Sequence, residues 1–229
     1  MTAKSEPRTT TKFIRAISWI LFCWLIGCTV VTIVTGQQPA PDEPKKANAR
    51  SEPPRTVEPF DGASVEKMAT QCVRLETEVG NIEIEMLAEM APETVRNFLN
   101  LASIGAFDTT TFSRVVPRFV IQGGNLATRE NLTEELYRRS QRTVPDEPNI
   151  IKHVRGIVSM ARTDQPNSAT SHFFILVGDG SSLDGKFSAF GRVRSGMEVA
   201  DQINQAQVDG EKPEKPVRVK RAVVKQCAQ

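Results

Sequence analysis

The side chains able to do chemistry in this 229-residue chain are few and widely spaced. Its four cysteines, Cys23, Cys28, Cys72 and Cys227, and its two histidines, His153 and His172, fall into no zinc-ligand spacing. The sequence holds no Gly-rich phosphate loop and no Gly-x-Ser-x-Gly elbow. Metal, nucleotide and triad-hydrolase chemistry are therefore not expected, and neither is a cofactor. What remains is an apolar site carrying a few polar groups. Residues 112–124 read Phe-Ser-Arg-Val-Val-Pro-Arg-Phe-Val-Ile-Gln-Gly-Gly, which places Arg114 on the same strand face as Phe112 and Val116. A guanidinium on such a face needs a partner or a task, because burying an unpaired charge is costly. An isolated arginine usually packs its stem and sends its head to solvent. Taken singly, Phe119 and Phe174 read as core aromatics and Gln122 as a surface residue. Phe119 and Gln122 are an odd number of positions apart, so a strand end or bulge must lie between them if both reach one face.

The elements that must carry these residues can be read from periodicity. Val73, Leu75, Thr77 and Val79 alternate with polar residues, and after Gly80-Asn81 the alternation resumes at Ile82, Ile84 and Met86, which predicts two strands joined by a tight turn. Val95, Phe98, Leu99 and Ala102 recur at helical spacing between Pro92, suited to a first turn, and Gly105, suited to a C-terminal cap. Further strands are expected at 112–116, 119–122, 157–160, 173–177, 189–192 and 217–225, and a second helix at 197–206. About eight strands and two helices are economically arranged as a closed barrel with helices over its ends, since closure removes sheet edges.

Three further segments stand in series with 112–124. They are Gly156-Ile157-Val158-Ser159-Met160-Ala161-Arg162, then Pro166-Asn167-Ser168-Ala169-Thr170-Ser171-His172-Phe173-Phe174-Ile175, then Leu183-Asp184-Gly185-Lys186. Together with Ala91-Pro92-Glu93-Thr94-Val95-Arg96-Asn97-Phe98 and Phe190-Gly191-Arg192-Val193, this ordered series resembles the cyclophilin family of peptidyl-prolyl isomerases over nearly the whole of 73–225. The resemblance implies a mainly β fold, a closed eight-stranded antiparallel barrel capped by two helices, with its active face on the outside. It also implies that Arg114 is the catalytic arginine and Gln122 the polar residue beside it. Phe119 and Phe174 match the aromatic floor of a proline pocket and Leu183 its aliphatic wall. Val120 stands where the family usually has Met, which should leave that pocket roomier. Ala161 and Arg162 match the segment whose backbone holds the residue before proline. Either Thr163 or Asp164 lines the neighbouring groove. His172 stands where Gln is common, Ser182 where many members have Trp, and Phe187 where many have His. In this fold the first and last strands are neighbours, so Cys72 and Cys227 form a possible disulfide outside the cytoplasm.

The activity so implied is non-covalent prolyl isomerisation of proline-containing peptides and unfolded exported proteins, with a proline-peptide binding module or scaffold of little turnover as the alternative. Nucleic acid is not an expected partner. Residues 1–70 hold 9 of the 29 Lys/Arg and 7 of the 27 Asp/Glu, which leaves 20 of each for 71–229. Such a neutral domain offers no broad cationic face for phosphates. It is expected to be monomeric.

Ahead of it, Ala16 to Val34 reads AISWILFCWLIGCTVVTIV, a length close to the hydrocarbon thickness of a bilayer. Lys4, Arg8, Lys12 and Arg15 precede it, so the positive-inside rule puts 1–15 in the cytoplasm and the remainder outside. A signal anchor over 16–36 in a bacterial cytoplasmic membrane is preferred over lipidation at Cys28, within Leu25-Ile26-Gly27-Cys28, and over ordinary cleavage, because the apolar run is long and no A-x-A site follows. Residues 37–60 contain six of the fourteen prolines. Residues 37–70 therefore read as a disordered Pro-rich linker, spanning at least about 30 Å, ahead of an isomerase domain at 71–229.

Overall fold

A computed structural model describes residues 56–228. The basic tail, the expected anchor at 16–36 and the linker as far as 55 lie outside the described residues. The first strands, β1 (Gln71–Thr77) and β2 (Gly80–Met86), form the expected hairpin. Its turn is Glu78-Val79 rather than Gly80-Asn81, for Gly80 already pairs with Thr77. Gly80 has φ 139°, and a Cβ there would lie 2.6 Å from the Val199 side chain, so the position admits only glycine.

Helix α2 (Pro92–Ser103) follows α1 (Val65–Ala69) and carries Pro92 in its first turn. Ala91 has no side chain to cap it, and the Glu147 carboxylate does so instead, accepting from the Glu93 and Thr94 amides at 3.0 and 2.8 Å. The remaining elements are β3 (Arg114–Val116), β4 (Val120–Gly123), α3 (Glu134–Ser140), β5 (Ile157–Met160), β6 (Phe173–Leu176), β7 (Ala189–Ser195), α4 (Met197–Asn204), the short pair β8 (Val208–Asp209) and β9 (Lys212–Pro213), and β10 (Val219–Gln226).

Strand parity separates two apolar clusters. Val115, Ile121, Ile175 and Val158 point from β3, β4, β6 and β5 to the inner face, where they join Phe98, Phe107, Phe112, Phe173 and Phe190 in the main core. Phe98 of α2 sits at the centre, with ring centroids 4.8–5.2 Å from Phe190, Phe107 and Phe173. The alternate residues Val120, Phe174, Leu176 and Ile157 point outward and form a second, smaller cluster.

Four expectations are corrected. The sheet does not close into a barrel: it is curled and open, in the order β10-β1-β2-β7-β5-β6-β4-β3. One bridge, Thr111 to Arg218, stands where a closing ladder would be. β3 is too short to sustain one, and its outer edge is taken by the β8–β9 hairpin, whose Glu211 carbonyl accepts from the Val115 amide at 2.8 Å. Two helices were expected and the described residues hold four. α1 and α3 are one and two turns long, below the length at which periodicity is readable, though Ser64 and Thr133 cap them with their side chains. Phe112 does not share a face with Arg114; residues 112–113 fall outside β3, and Phe112 is buried in the main core. Finally, residues 56–70 are not linker. Phe60 and Met68 are buried in the main core, and Arg96 donates to the carbonyls of Phe60 and Ala63 at 2.8 Å.

Candidate active site

Register builds the site. Arg114 on β3 pairs with Gln122 on β4, Gln122 with Phe174 on β6, and Phe174 with Ser159 on β5, so four strands present one row to the outer face. Within that row Arg114 Nη1 donates to Gln122 Oε1 at 3.2 Å. Arg114 also meets an acid that sequence reasoning missed. Its Nε and Nη2 donate to the two carboxylate oxygens of Glu211 at 2.6 and 3.1 Å. The guanidinium beside it holds the Glu211 carboxyl below the usual carboxylate range. No spacing signal points to Glu211, which lies 97 residues away at the tip of the β8–β9 hairpin. Three of the five guanidinium N–H groups are thus engaged, leaving one on each terminal nitrogen.

Phe119 reaches the same region from the turn before β4, which settles the parity difficulty: a strand end lies between Phe119 and Gln122. The Phe119 amide donates to the Val116 carbonyl at 3.0 Å, with Pro117 second in the turn and Arg118 third at φ 61°, the pattern of a type II turn. A non-glycine residue in that region stores of order 1 kcal/mol or more and persists only where its surroundings dictate it. Here they do. Asn204, closing α4, accepts from the Arg118 amide at 2.7 Å and donates to the carbonyls of Val116 and Val120 at 2.9 and 3.1 Å. Gly178 passes so close that a Cβ would lie 2.0 Å from the Arg118 carbonyl oxygen.

Phe174, 6% exposed, packs edge-on to Phe187 with centroids 5.9 Å apart, and Phe119, Leu183 and Ala161 lie partly buried against the same cluster. Val120 is buried within that cluster. The Arg162 head stacks 5.2 Å over Phe187. Leu183 is placed by its neighbour Asp184, which accepts from the His153 amide at 2.8 Å. The His153 ring lies between Asp184 Oδ1 at 3.3 Å and Ser159 Oγ at 2.9 Å. The carboxylate can only accept, so Nδ1 carries the proton and Nε2 accepts from the serine hydroxyl. Ser159, His153 and Asp184 thus stand in the order of a hydrolase triad, a grouping invisible in the sequence. Ser159 is fully buried, however, and no scissile carbonyl can reach it; the three residues secure the Leu183 loop to β5.

A cavity of about 510 Å³ runs beside this apolar patch, bounded by Gln122, Ala161, Arg162 and His172, by Tyr137 of α3 and by Gln141 just after it. Thr163 also bounds it, and Asp164 does not. Burial holds the His172 pKa below the ordinary histidine value, so the ring is neutral at pH 7. Cys72 and Cys227 form a disulfide with Cα atoms 5.0 Å apart, joining the chain at the start of β1 to the chain just after β10.

A curled antiparallel sheet with helices against it, carrying a row of Arg, Gln and Phe on its outer face beside a groove, defines a cyclophilin-like fold. Residues 72–224 match the family model described as cyclophilin type peptidyl-prolyl cis-trans isomerase/CLD, and the chain belongs to that family as a peptidyl-prolyl cis-trans isomerase. It is 38% identical to peptidyl-prolyl cis-trans isomerase A of Dickeya dadantii over 66% of this chain and 80% of that protein. It is equally identical to isomerase cypE of Dictyostelium discoideum over 68% of this chain and 98% of that protein. A Cryptosporidium parvum cyclophilin, crystallised in the presence of the dipeptide Ala-Pro, superposes with a TM-score of 0.60 at 29% identity, covering 68% of this chain and 99% of that one.

Proposed function

We propose that the outer-face row catalyses rotation about X-Pro bonds with Arg114 as the catalytic group, and that the domain assists folding of exported proteins from a membrane tether. The observation carrying the first part is the juxtaposition of Arg114, Gln122 and Phe174 across three neighbouring strands. An X-Pro bond resists rotation because the nitrogen lone pair is delocalised into the carbonyl, giving a barrier of about 20 kcal/mol. In the twisted transition state that nitrogen becomes pyramidal and recovers its lone pair, so it accepts a hydrogen bond only then. A free Arg114 N–H donates to it, which is binding reserved for the transition state. Gln122 and Glu211 hold the guanidinium plane while two of its N–H groups stay available.

Phe119, Phe174, Leu183 and Phe187 hold the prolyl ring, with Val120 beneath them. The backbone at Ala161 and Arg162 holds the preceding residue, and His172 borders the groove. No bond to the protein forms and no cofactor takes part. The test is a protease-coupled isomerisation assay on the full chain beside Arg114→Ala. Loss of a donor used only in the transition state lowers kcat about 100-fold with KM little changed; wild-type turnover by the variant defeats the assignment.

The tether is supported by the apolar run 16–34 after four basic residues, and the oxidising compartment by the Cys72–Cys227 bond. Protease added to intact spheroplasts should remove the monomeric domain; a domain protected until the membrane is breached rejects this orientation.

A further inference from the structure

The segment ahead of α1 is tied through a buried ion pair to α3, the helix that supplies Tyr137 and Ser140 to the groove. Glu58 and Arg139 have side chains 7% and 6% exposed. Arg139 donates to the two Glu58 carboxylate oxygens, from Nε at 2.5 Å and from Nη2 at 3.0 Å. Nη2 also reaches Asn97 Oδ1 at 2.9 Å, and the Asn97 amide donates to the carbonyl of Thr170, on the cavity wall, at 2.7 Å. Arg142 adds a third cationic contact to Glu58 at 3.1 Å. Glu58 is itself anchored. Its amide donates to Asp61, Asp61 accepts from Asn100, and Asn100 accepts from the Phe60 amide, so the segment is fastened to α2.

The helix held in this way, α3, is seven residues long, too short to be stable alone. It supplies Tyr137 and Ser140, with Gln141 at its C-terminal cap, to the cavity that Gln122 and His172 also line. A buried ion pair adds little net stability compared with apolar residues of the same volume, and its best-attested use is to specify one arrangement. We propose that Glu58 and Arg139 are positioning residues that hold the α3 wall of the substrate groove, so that the chain before the first strand sets affinity for the residues preceding proline. The proposal rests on the isomerase reading and deepens it.

The test compares Glu58→Gln with wild type, both as full chains in mild detergent, on two substrates: a blocked Ala-Pro anilide and a peptide with three further residues ahead of that Ala-Pro unit. Hydrogen exchange at 134–141 is measured alongside. The expected result is a KM for the long peptide raised about tenfold, the equivalent of ~1.4 kcal/mol. In that case kcat is unchanged on both substrates, KM for the short one is retained, and exchange accelerates in α3 but not in the sheet. Arg142→Met, which removes only the outer contact, should shift the long-peptide KM in the same direction by less, and it serves if Glu58→Gln does not fold. An unchanged long-peptide KM, or equal losses on both substrates, overturns the proposal. A wild type inactive on both substrates defeats the isomerase reading instead, and this one with it.

Discussion

Glu211 grips Arg114 with both carboxylate oxygens, at 2.6 and 3.1 Å, from a hairpin tip 97 residues further along the chain. The pair is half exposed, so its weight lies in aim rather than stability. Glu211→Ala should lower kcat about tenfold, less than the hundredfold that a full ångström of misplacement costs, with little change in Tm. Glu211→Gln, which can still accept one of the two bonds, should fall between. Steady-state kinetics within twofold of wild type for the alanine variant would show that Gln122 alone orients the guanidinium.

Asn204 supplies three hydrogen bonds to the turn that aims Phe119. Asn204→Ala leaves one amide and two carbonyls short of partners, which should cost about 2–4 kcal/mol in urea unfolding at 1 kcal/mol or so per bond. Because Arg118 then relaxes from its left-handed conformation, the KM for proline peptides should rise as well. Asn204→Asp keeps the acceptor but turns a carboxylate oxygen towards the Val116 and Val120 carbonyls, so it should destabilise at least as much as alanine. A wild-type urea midpoint for Asn204→Ala would contradict this account.

His153 is fully buried, and burial lowers its pKa despite the nearby Asp184. An unfolded histidine takes up a proton near pH 6.5 while the folded one still refuses it. Stability is therefore complete above about pH 6.5 and declines as pH falls towards the folded pKa, by at most about 1.4 kcal/mol per pH unit. Urea melts in a His172→Gln background at about pH 7.5 and 5 would isolate this ring, and a further His153→Gln change should flatten the difference.

His172 borders the groove and is likewise held neutral by burial. An imidazolium there adds charge to the apolar approach, so wild-type kcat/KM should fall once pH drops below the ordinary histidine range, and His172→Gln should not follow it. The same activity ratio for both proteins between about pH 7.5 and 5 would discount the ring.

The Cys72–Cys227 bond spans a separation of 155 residues. By loop-closure entropy such a link restricts the unfolded chain by up to about 5 kcal/mol, so reduction should lower Tm on the order of 10 °C. Intact-mass measurement should show a gain of about two daltons on reduction, one hydrogen per sulfur. A protein whose mass and Tm ignore reductant would show the two thiols free.

The residues most legible in the sequence were those whose neighbours along the chain define their environment. Pro92 with Gly105 bounds α2 as a consequence of local helix geometry. Arg114, Gln122 and Phe174 were legible as a site only through the ordered run of motifs that resembles the cyclophilin family, since singly they read as a packed arginine, a surface glutamine and a core aromatic. Strand alternation misplaced Phe112, since it breaks just before β3.

Tertiary structure alone decided which distant groups meet. Glu211 on Arg114, Asn204 on Arg118 and Glu58 on Arg139 are separated by 97, 86 and 81 residues. Each is one polar side chain among many of its kind, and its partner is selected by how helices and hairpins dock on the sheet. The open sheet was settled in the same way: the amide of Val115 goes to the Glu211 hairpin, leaving one bridge, Thr111 to Arg218, in the segments just ahead of the two edge strands. Strand patterns state which face of a strand is apolar; they do not state which backbone will arrive to occupy its edge.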